Sequence, residues 1–417
     1  MKKSIFLFLS LIYCLNIYSQ NVSQWRGSER NGIYNEKNLL KEWPQDGPEV
    51  LWTAEGIGSG YSSASVTDEM IFITGMQNYN DVLTAIDHKG QVKWKKIIGP
   101  SWRGSYPDTR VTPTVEDSKV YVISGQGKIV CFDAITGDEI WSVDGYNKFE
   151  GYCTMWGVCE SPLIVGDKVV YTPGGDKTTM VSLNKKTGET IWMSESLKDS
   201  TAYVSPVLVE YAGKKMIVSI LANYFFAVDS DDGKILWKYK YHDLLADQTH
   251  WYSPIININT PLYHDGKFFI SKGYDHLAAK FSMTKNGNDI KLEWTNSLLD
   301  VHLGGMVLID NHIYAANWLH NRDGNWCCIN WDTGEKLYEK KWFNKGSIIS
   351  ADGLLYCYEE KYGNLALVEP TPEEFKILSS FKIDKGKGPY WSHPVIVNGV
   401  LYVRHGDFLM AYNIEAS

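Results

Sequence analysis

One phrase recurs along the chain and limits what it can fold into. LTAIDHKGQVKW ends at Trp94, VCFDAITGDEIW at Trp141, VSLNKKTGETIW at Trp192 and FAVDSDDGKILW at Trp237. CINWDTGEKLY ends at Tyr338, with tyrosine in the tryptophan's place. Each copy alternates apolar residues, then sets an Asp or Asn, then Gly, then an aromatic residue four positions after that Gly. Between copies runs a second unit: an apolar strand, a tight polar turn and another apolar strand. Its turns centre near Glu69, Ser118, Asp167, Gly213, Gly266, Asn311, Gly353 and Gly399, at intervals of 49, 49, 46, 53, 45, 42 and 46 residues. Eight hairpins at this period predict eight copies of one four-stranded antiparallel unit. Such a unit cannot bury both faces alone, so the copies must pack face to face. The expected fold is all-β, an eight-bladed β-propeller.

Local chemistry agrees with that period. Asp or Asn bonds nearby backbone in the turn between third and fourth strands, and Gly takes the positive φ there. The following Trp can wedge between neighbouring blades. The high counts of 16 Trp and 26 Tyr in 417 residues suit short strands. The last copy ends one strand short, after FLMAYNI. The segment GPEVLWTAE around Trp52 reads as a fourth strand without a blade, so it should complete the eighth blade and remove a free sheet edge. The expected organisation is a leader over residues 1–20, an extension over 21–49 that clasps the ring from its surface, and a single propeller over 50–417.

The leader, MKKSIFLFLSLIYCLNIYSQ, joins a basic start at Lys2 and Lys3 to a short apolar run, the pattern of a secretory signal peptide. The expectation is a periplasmic or secreted bacterial protein, monomeric, with no transmembrane segment after cleavage. The net charge of −8 and the lack of any basic stretch exclude nucleic acid as a natural partner. Cysteines 131, 153, 159, 327, 328 and 357 follow no zinc or haem-attachment spacing, and adjacent Cys327 and Cys328 on a strand face opposite sides.

Innermost strands should begin SSASV, TPTV, SPLIV, SPVLV, TPLYH, GGMVL, GSIIS and HPVIV. Five carry proline, which suits a strand facing an open channel. The residues just before these starts should converge at the channel mouth: Tyr61, Arg110, Glu160, Tyr203, Asn259, His302, Lys345 and Trp391. His250 and Trp251 sit in the long lead-in to blade five. Repeat architecture explains sameness, whereas this ring is varied, and it suits a small-molecule or glycan ligand. Arg110 or Lys345 can hold carboxylate or quinone oxygens, and Trp391 or Trp156 can stack on a planar ring. Glu160 can ligate a hard cation or take a proton. No metalloprotease, serine-hydrolase, phosphate-loop or dinucleotide motif is present.

The repeated DxxTGxxxW phrase resembles the repeat of the pyrroloquinoline-quinone (PQQ) propeller proteins, from about Trp25 to Ser417. WRGSERNGIY, WGVCESPLIVGDKVV and WSHPVIVNGVLYVR are similar to segments of a secreted, polyvinyl-alcohol-dehydrogenase-like branch. The resemblance implies a channel holding PQQ with Ca2+ bound by carboxylate and amide oxygens, for which Glu160 and Asn259 stand. It further implies Arg110 beside the quinone, Trp391 or Trp156 stacked on it, Lys345 near its oxygens, and His302 or Asp300 as proton acceptor. Tyr61, Tyr203, His250 and Trp251 would line the substrate side. Cys327 and Cys328 depart from the pattern, because they precede the NWDTG turn and not the channel mouth. Two functions follow: an exported quinoprotein oxidoreductase acting on an alcohol or sugar, or a non-catalytic propeller binding protein or glycan. A carbohydrate lyase reusing the channel is a third.

Overall fold

The computed structural model describes residues 23–153, 155–244 and 256–416. The signal-peptide expectation, His250 and Trp251 lie outside the described residues. The fold is an eight-bladed propeller of four-stranded antiparallel sheets. Blade 1 runs through Ser65–Val66, Ile71–Gln77, Asn80–Ile86 and Val92–Pro100, and blade 2 through Thr114–Glu116, Lys119–Ile123, Lys128–Asp133 and Glu139–Asp144. Six further sheets follow, with inner strands Leu163–Val165, Val207–Tyr211, Leu262–His264, Val301–Ile309, Gly346–Ala351 and Val395–Val397.

In six blades the hairpin between first and second strands closes with two successive left-handed residues, as at Asp117 and Ser118 (φ 50° and 56°) and at Asp310 and Asn311 (φ 45° and 65°). That mirror-image turn matches the strand twist and favours Asn, Asp and Gly, the residues found there. Between third and fourth strands, Asp133 Oδ1 accepts from the amides of Ile135 and Thr136, and Gly137 takes φ 71°. Asn184 with Gly188 and Asn330 with Gly334 repeat the arrangement.

The repeated tryptophan hydrogen-bonds five of the blades to the next. Trp94 Nε1 donates to the Ala134 carbonyl at 3.2 Å, Trp141 to Lys185 at 3.1 Å and Trp192 to Ser230 at 3.2 Å. Each ring lies against the turn glycine of the following blade, so closely that a Cβ on Gly188 would stand 2.7 Å from the Trp141 ring. Trp52 and Trp294 make the same link, to His88 and Asp332. Apolar side chains fill the interfaces between blades, for example Ile73, Tyr358, Leu367, Val403 and Met410 where blades 7, 8 and 1 meet.

Closure is made by the N-terminal strand. Glu49–Glu55 pairs antiparallel with Phe408–Asn413, from Glu49 opposite Asn413 to Glu55 opposite Phe408, and completes blade 8. The buried Arg404 secures the seam with blade 1, donating to the Gly58 and Thr74 carbonyls at 2.7 and 2.5 Å and to Ser62 Oγ at 2.6 Å.

Residues 23–34 do not run over the outside, where the sequence reading put them. Ser23 pairs with Val115 on the inner strand of blade 2, and Ile33–Tyr34 lies parallel to Ser350 and Ala351 on the inner strand of blade 7. Between these anchors the segment crosses the channel. Arg26 is 2% and Arg30 3% exposed. Arg26 donates to the Met306 carbonyl at 2.6 Å and to Ile348 at 2.9 Å. Arg30 donates to Ser161 and Pro206 at 3.0 Å and to Pro162 at 2.5 Å. Inner strands have no neighbour on the channel side, so their carbonyls need donors, and a planar guanidinium supplies several at once.

Candidate functional site

The lead-ins to the inner strands and the loops between second and third strands all emerge on one face of the ring. There they enclose a cavity of about 470 Å³. Eight of its lining residues are aromatic: Trp25, Tyr61, Tyr106, Trp156, Tyr203, Tyr274, Trp318 and Trp391. Trp25 comes from the segment that crosses the channel, and every other one from a blade or its loops. Rings meet edge to face or tilted, with Tyr61 and Trp391 centroids 4.9 Å apart, Tyr106 and Trp391 5.5 Å, and Tyr274 and Trp318 5.3 Å. Their remaining surface faces the cavity, which we call the cup.

The polar groups of the cup are few and specific. Arg110 lies over the Tyr203 ring, 5.7 Å from its centroid. Its side chain donates to the carbonyls of Ser105, Tyr106 and Asp108 in its own loop. A guanidinium has more N–H donors than these three. It makes no ion pair among the described residues, because Asp108 turns its carboxylate to the Tyr61 hydroxyl at 3.3 Å. Burial raises the Asp108 carboxyl, against the opposing Tyr61 hydrogen bond and the charges of Arg110 and Arg404. His302 Nε2 meets the Tyr274 hydroxyl at 2.8 Å, while its Nδ1 is buried without a partner, as is the Tyr203 hydroxyl. Burial lowers His302 to about 3, and the Lys345 charge acts in the same direction, so the ring is neutral. Glu360 also lines the cup, but Lys345 neutralises it at 2.6 Å. Asp275 stands exposed at the mouth on blade 5, three blades round the ring from Arg110.

The structure therefore brings together Tyr61, Arg110, Trp156, Tyr203, His302 and Trp391 and sets Glu160, Asn259, Asp300 and Lys345 outside the cup lining. Glu160 is fully buried, and its oxygens accept from the Thr172 amide and hydroxyl, both at 3.1 Å. Burial raises it to about 8. Asn259 spends its amide on the Val301 and His302 carbonyls, at 2.7 and 3.0 Å, and on the Gly305 amide at 3.2 Å. Asp300, raised by burial to about 8, accepts from the amides of Asp275 at 3.1 Å and Trp318 at 3.2 Å, and so holds two cup-lining loops without entering the cup. Lys345 adds donations to the His320 and Asn321 carbonyls to its pair with Glu360.

A constant offset separates Glu160 and Asn259 from the cup residues of their own blades. In the five blades whose inner strand opens with proline, the residue three positions earlier lines the cup: Arg110, Cys159, Tyr203, Ile258 and Trp391. Glu160 and Asn259 stand only two positions before Pro162 and Pro261, and in extended chain adjacent side chains face opposite ways. The constant distance to proline was a usable signal. No comparable signal marked Trp25, Arg26 or Arg30, which have no repeat partner.

A family model described as outer membrane protein assembly factor BamB matches residues 79–340, more than half of the chain. The chain belongs to the PQQ-like propeller family. The assembly factor BamB of Shewanella oneidensis is 21% identical over 362 residues, covering 75% of this chain and 86% of that protein. A quinoprotein ethanol dehydrogenase of Pseudomonas aeruginosa is 25% identical over 159 residues, 34% of this chain and a quarter of that enzyme's length (25%). Among solved structures, BamB from Moraxella catarrhalis superposes with a TM-score of 0.63 at 15% identity, covering 88% of this chain and 99% of that one. The quinohemoprotein alcohol dehydrogenase from Comamonas testosteroni superposes at 0.67 with 11% identity, covering 93% and 79%. PQQ-like propellers thus include both assembly factors and dehydrogenases.

The described residues do not fit the calcium ion that the resemblance pairs with PQQ. Among the described residues no three His, Cys, Asp or Glu side chains are grouped to hold a metal ion. Glu160 and Asn259, the oxygen donors the sequence offered, are spent on the protein's own backbone and hydroxyls. Cys327 and Cys328 are buried free thiols in the strand Trp326–Asn330, away from the mouth.

Proposed function

We propose that this chain is an exported, non-catalytic binding propeller whose cup takes a sugar ring carrying a carboxylate. One observation carries the reading: eight aromatic side chains line one cavity with a guanidinium that has no carboxylate partner among the described residues. Flat aromatic faces suit the C–H faces of a sugar, and a guanidinium suits a carboxylate. Asp275 and Asn321, both exposed and lining the same cup, can bond sugar hydroxyls. The wide coverage of the assembly factor BamB, against a quarter of the ethanol dehydrogenase, supports a role without catalysis. The leader supports export.

The second reading, a quinoprotein oxidoreductase, draws support from the stretches shared with alcohol dehydrogenases. One calorimetric experiment separates the two. The protein is titrated with galacturonic acid and, separately, with PQQ plus calcium, beside Arg110→Gln and Trp156→Ala variants whose folding is checked by circular dichroism. Binding of the sugar acid that both variants weaken by about tenfold or more is the expected result. Binding of PQQ alone would overturn it in favour of the dehydrogenase.

A further inference from the structure

Beside the cup, the loops of blades 6 to 8 carry exposed aromatic rings among cations that make no ion pair among the described residues. Phe343 and Tyr362 are 50% and 44% exposed, with ring centroids 6.0 Å apart in an edge-to-face arrangement. Lys361 Nζ stands 5.0 Å from the Tyr362 ring centroid. The short loops around these rings also hold Arg322, Lys385 and Lys387, all exposed and without an ion pair among the described residues. Their neighbour Lys341 is paired with Asp323 and Lys345 with Glu360, which leaves Asp384 and the buried Glu359, whose carboxylate accepts from the Lys361, Tyr362 and Asn364 amides, as carboxylates of these loops without an ion pair among the described residues. A chain of net charge −8 thus gathers a positive, aromatic rim on one sector of its mouth.

The rim is continuous with the cup. Lys361 and Tyr362 directly follow Glu360, which lines the cup. The Glu360 amide donates to the Lys345 carbonyl, and its carbonyl accepts from the Tyr390 amide, next to the cup residue Trp391.

We infer that this rim is a second subsite, and that the ligand is an acidic oligosaccharide whose first ring sits in the cup and whose following rings cross blades 7 and 8. The inference rests on the cup reading and extends it from one sugar to a chain. Alternating flat faces and fixed positive charge complement a polymer with one ring and one carboxylate per repeat. A neutral glycan has no use for the cations, and a monosaccharide cannot reach them.

The test compares galacturonic acid, linear tetragalacturonate and neutral maltotetraose on the intact protein, by calorimetry at low and moderate salt. A Lys361→Ala/Lys385→Ala/Lys387→Ala triple variant and a Phe343→Ala/Tyr362→Ala double variant are measured alongside, all substitutions being at exposed positions. The expected result is a tetramer bound about tenfold tighter than the monomer, with that gain lost in both variants and reduced by salt, while monomer affinity stays unchanged. A tetramer that binds no tighter than the monomer, or binds the variants as tightly as the wild type, overturns the rim and leaves the cup standing. Equal binding of maltotetraose overturns the acidic specificity. Absence of binding by both monomer and tetramer removes the cup reading, and the rim with it.

Discussion

Arg26 Nη1 donates to His393 Nδ1 at 2.9 Å, across 367 residues of sequence. Because arginine only donates, the imidazole must carry its proton on Nε2, which lies 3.1 Å from the Leu303 carbonyl. Burial, and then the Arg26 charge, hold His393 far below the ordinary histidine value, so it stays neutral. Trp25 packs edge-on against the same ring, with centroids 5.5 Å apart. One neutral histidine therefore fixes both the channel-crossing segment and a wall of the cup.

Arg26→Met should destabilise the protein by on the order of 3 kcal/mol, because it strands the Met306 and Ile348 carbonyls in the channel. Arg26→Lys should recover little, since an ammonium cannot serve spread-out acceptors with a planar fork. Thermal unfolding followed by calorimetry reads both, and a melting point within a degree of wild type for Arg26→Met would disprove the role.

The interblade tryptophans differ in a way that mutation can expose. Trp141 has an acceptor in the next blade, whereas the buried Trp237 Nε1 has none. Trp141→Phe should cost about 1 kcal/mol more than Trp237→Phe in chemical denaturation, because only the former loses a hydrogen bond. Both Trp→Ala changes should cost about 3–5 kcal/mol.

Glu160 links stability to pH. Its carboxyl ionises near the ordinary 4.5 when the chain is unfolded and near about 8 when folded. Between those values the folded state holds a proton that the unfolded state has released, so rising pH favours unfolding. Glu160→Gln can keep a bond to Thr172 and carries no charge. The stability difference between variant and wild type should therefore grow in the variant's favour from pH 4.5 to about 8 and then level off. Denaturation midpoints measured at several pH values check the slope, and a difference that shrinks with pH would refute it.

The six described cysteines are free. Burial pushes Cys131 and Cys328 up to about 12 and Cys159 to about 11, and pushes Cys327 and Cys357 well up. At neutral pH a thiol reagent should label the native protein slowly and all six in denaturant. Reductant should leave the melting point unchanged. Because Cys159 lines the cup, bound ligand should slow its modification further.

The ring itself was readable because it repeats: the Gly at 137, 188 and 334 and the aromatic four residues later announce a turn that must fit the next blade. Trp294 escaped that pattern because it follows Gly287 by seven residues, yet it docks on Gly334 like the others. Arg110, Tyr203 and Trp391 line the cup, each three positions before a proline. Glu160 and Asn259 missed it by one residue, the half-period of an extended chain. Arg26 and Arg30 were unreadable for another reason. Nothing in WRGSERNGIY repeats elsewhere, and a charged stretch normally lies in water unless a channel of bare carbonyls receives it.

The strand Glu49–Glu55 and the arginines of the channel lie on one short stretch at the start of the chain, and their partners lie on blades 3, 4, 6, 7 and 8. The groups that receive Arg26 and Arg30 do not face one another until those blades have formed. This stretch precedes the blades in the sequence and must therefore wait for almost all of them. Contacts of such sequence separation form slowly, so ring closure and the making of the cup become a single late event, and a chain interrupted before blade 8 would have neither.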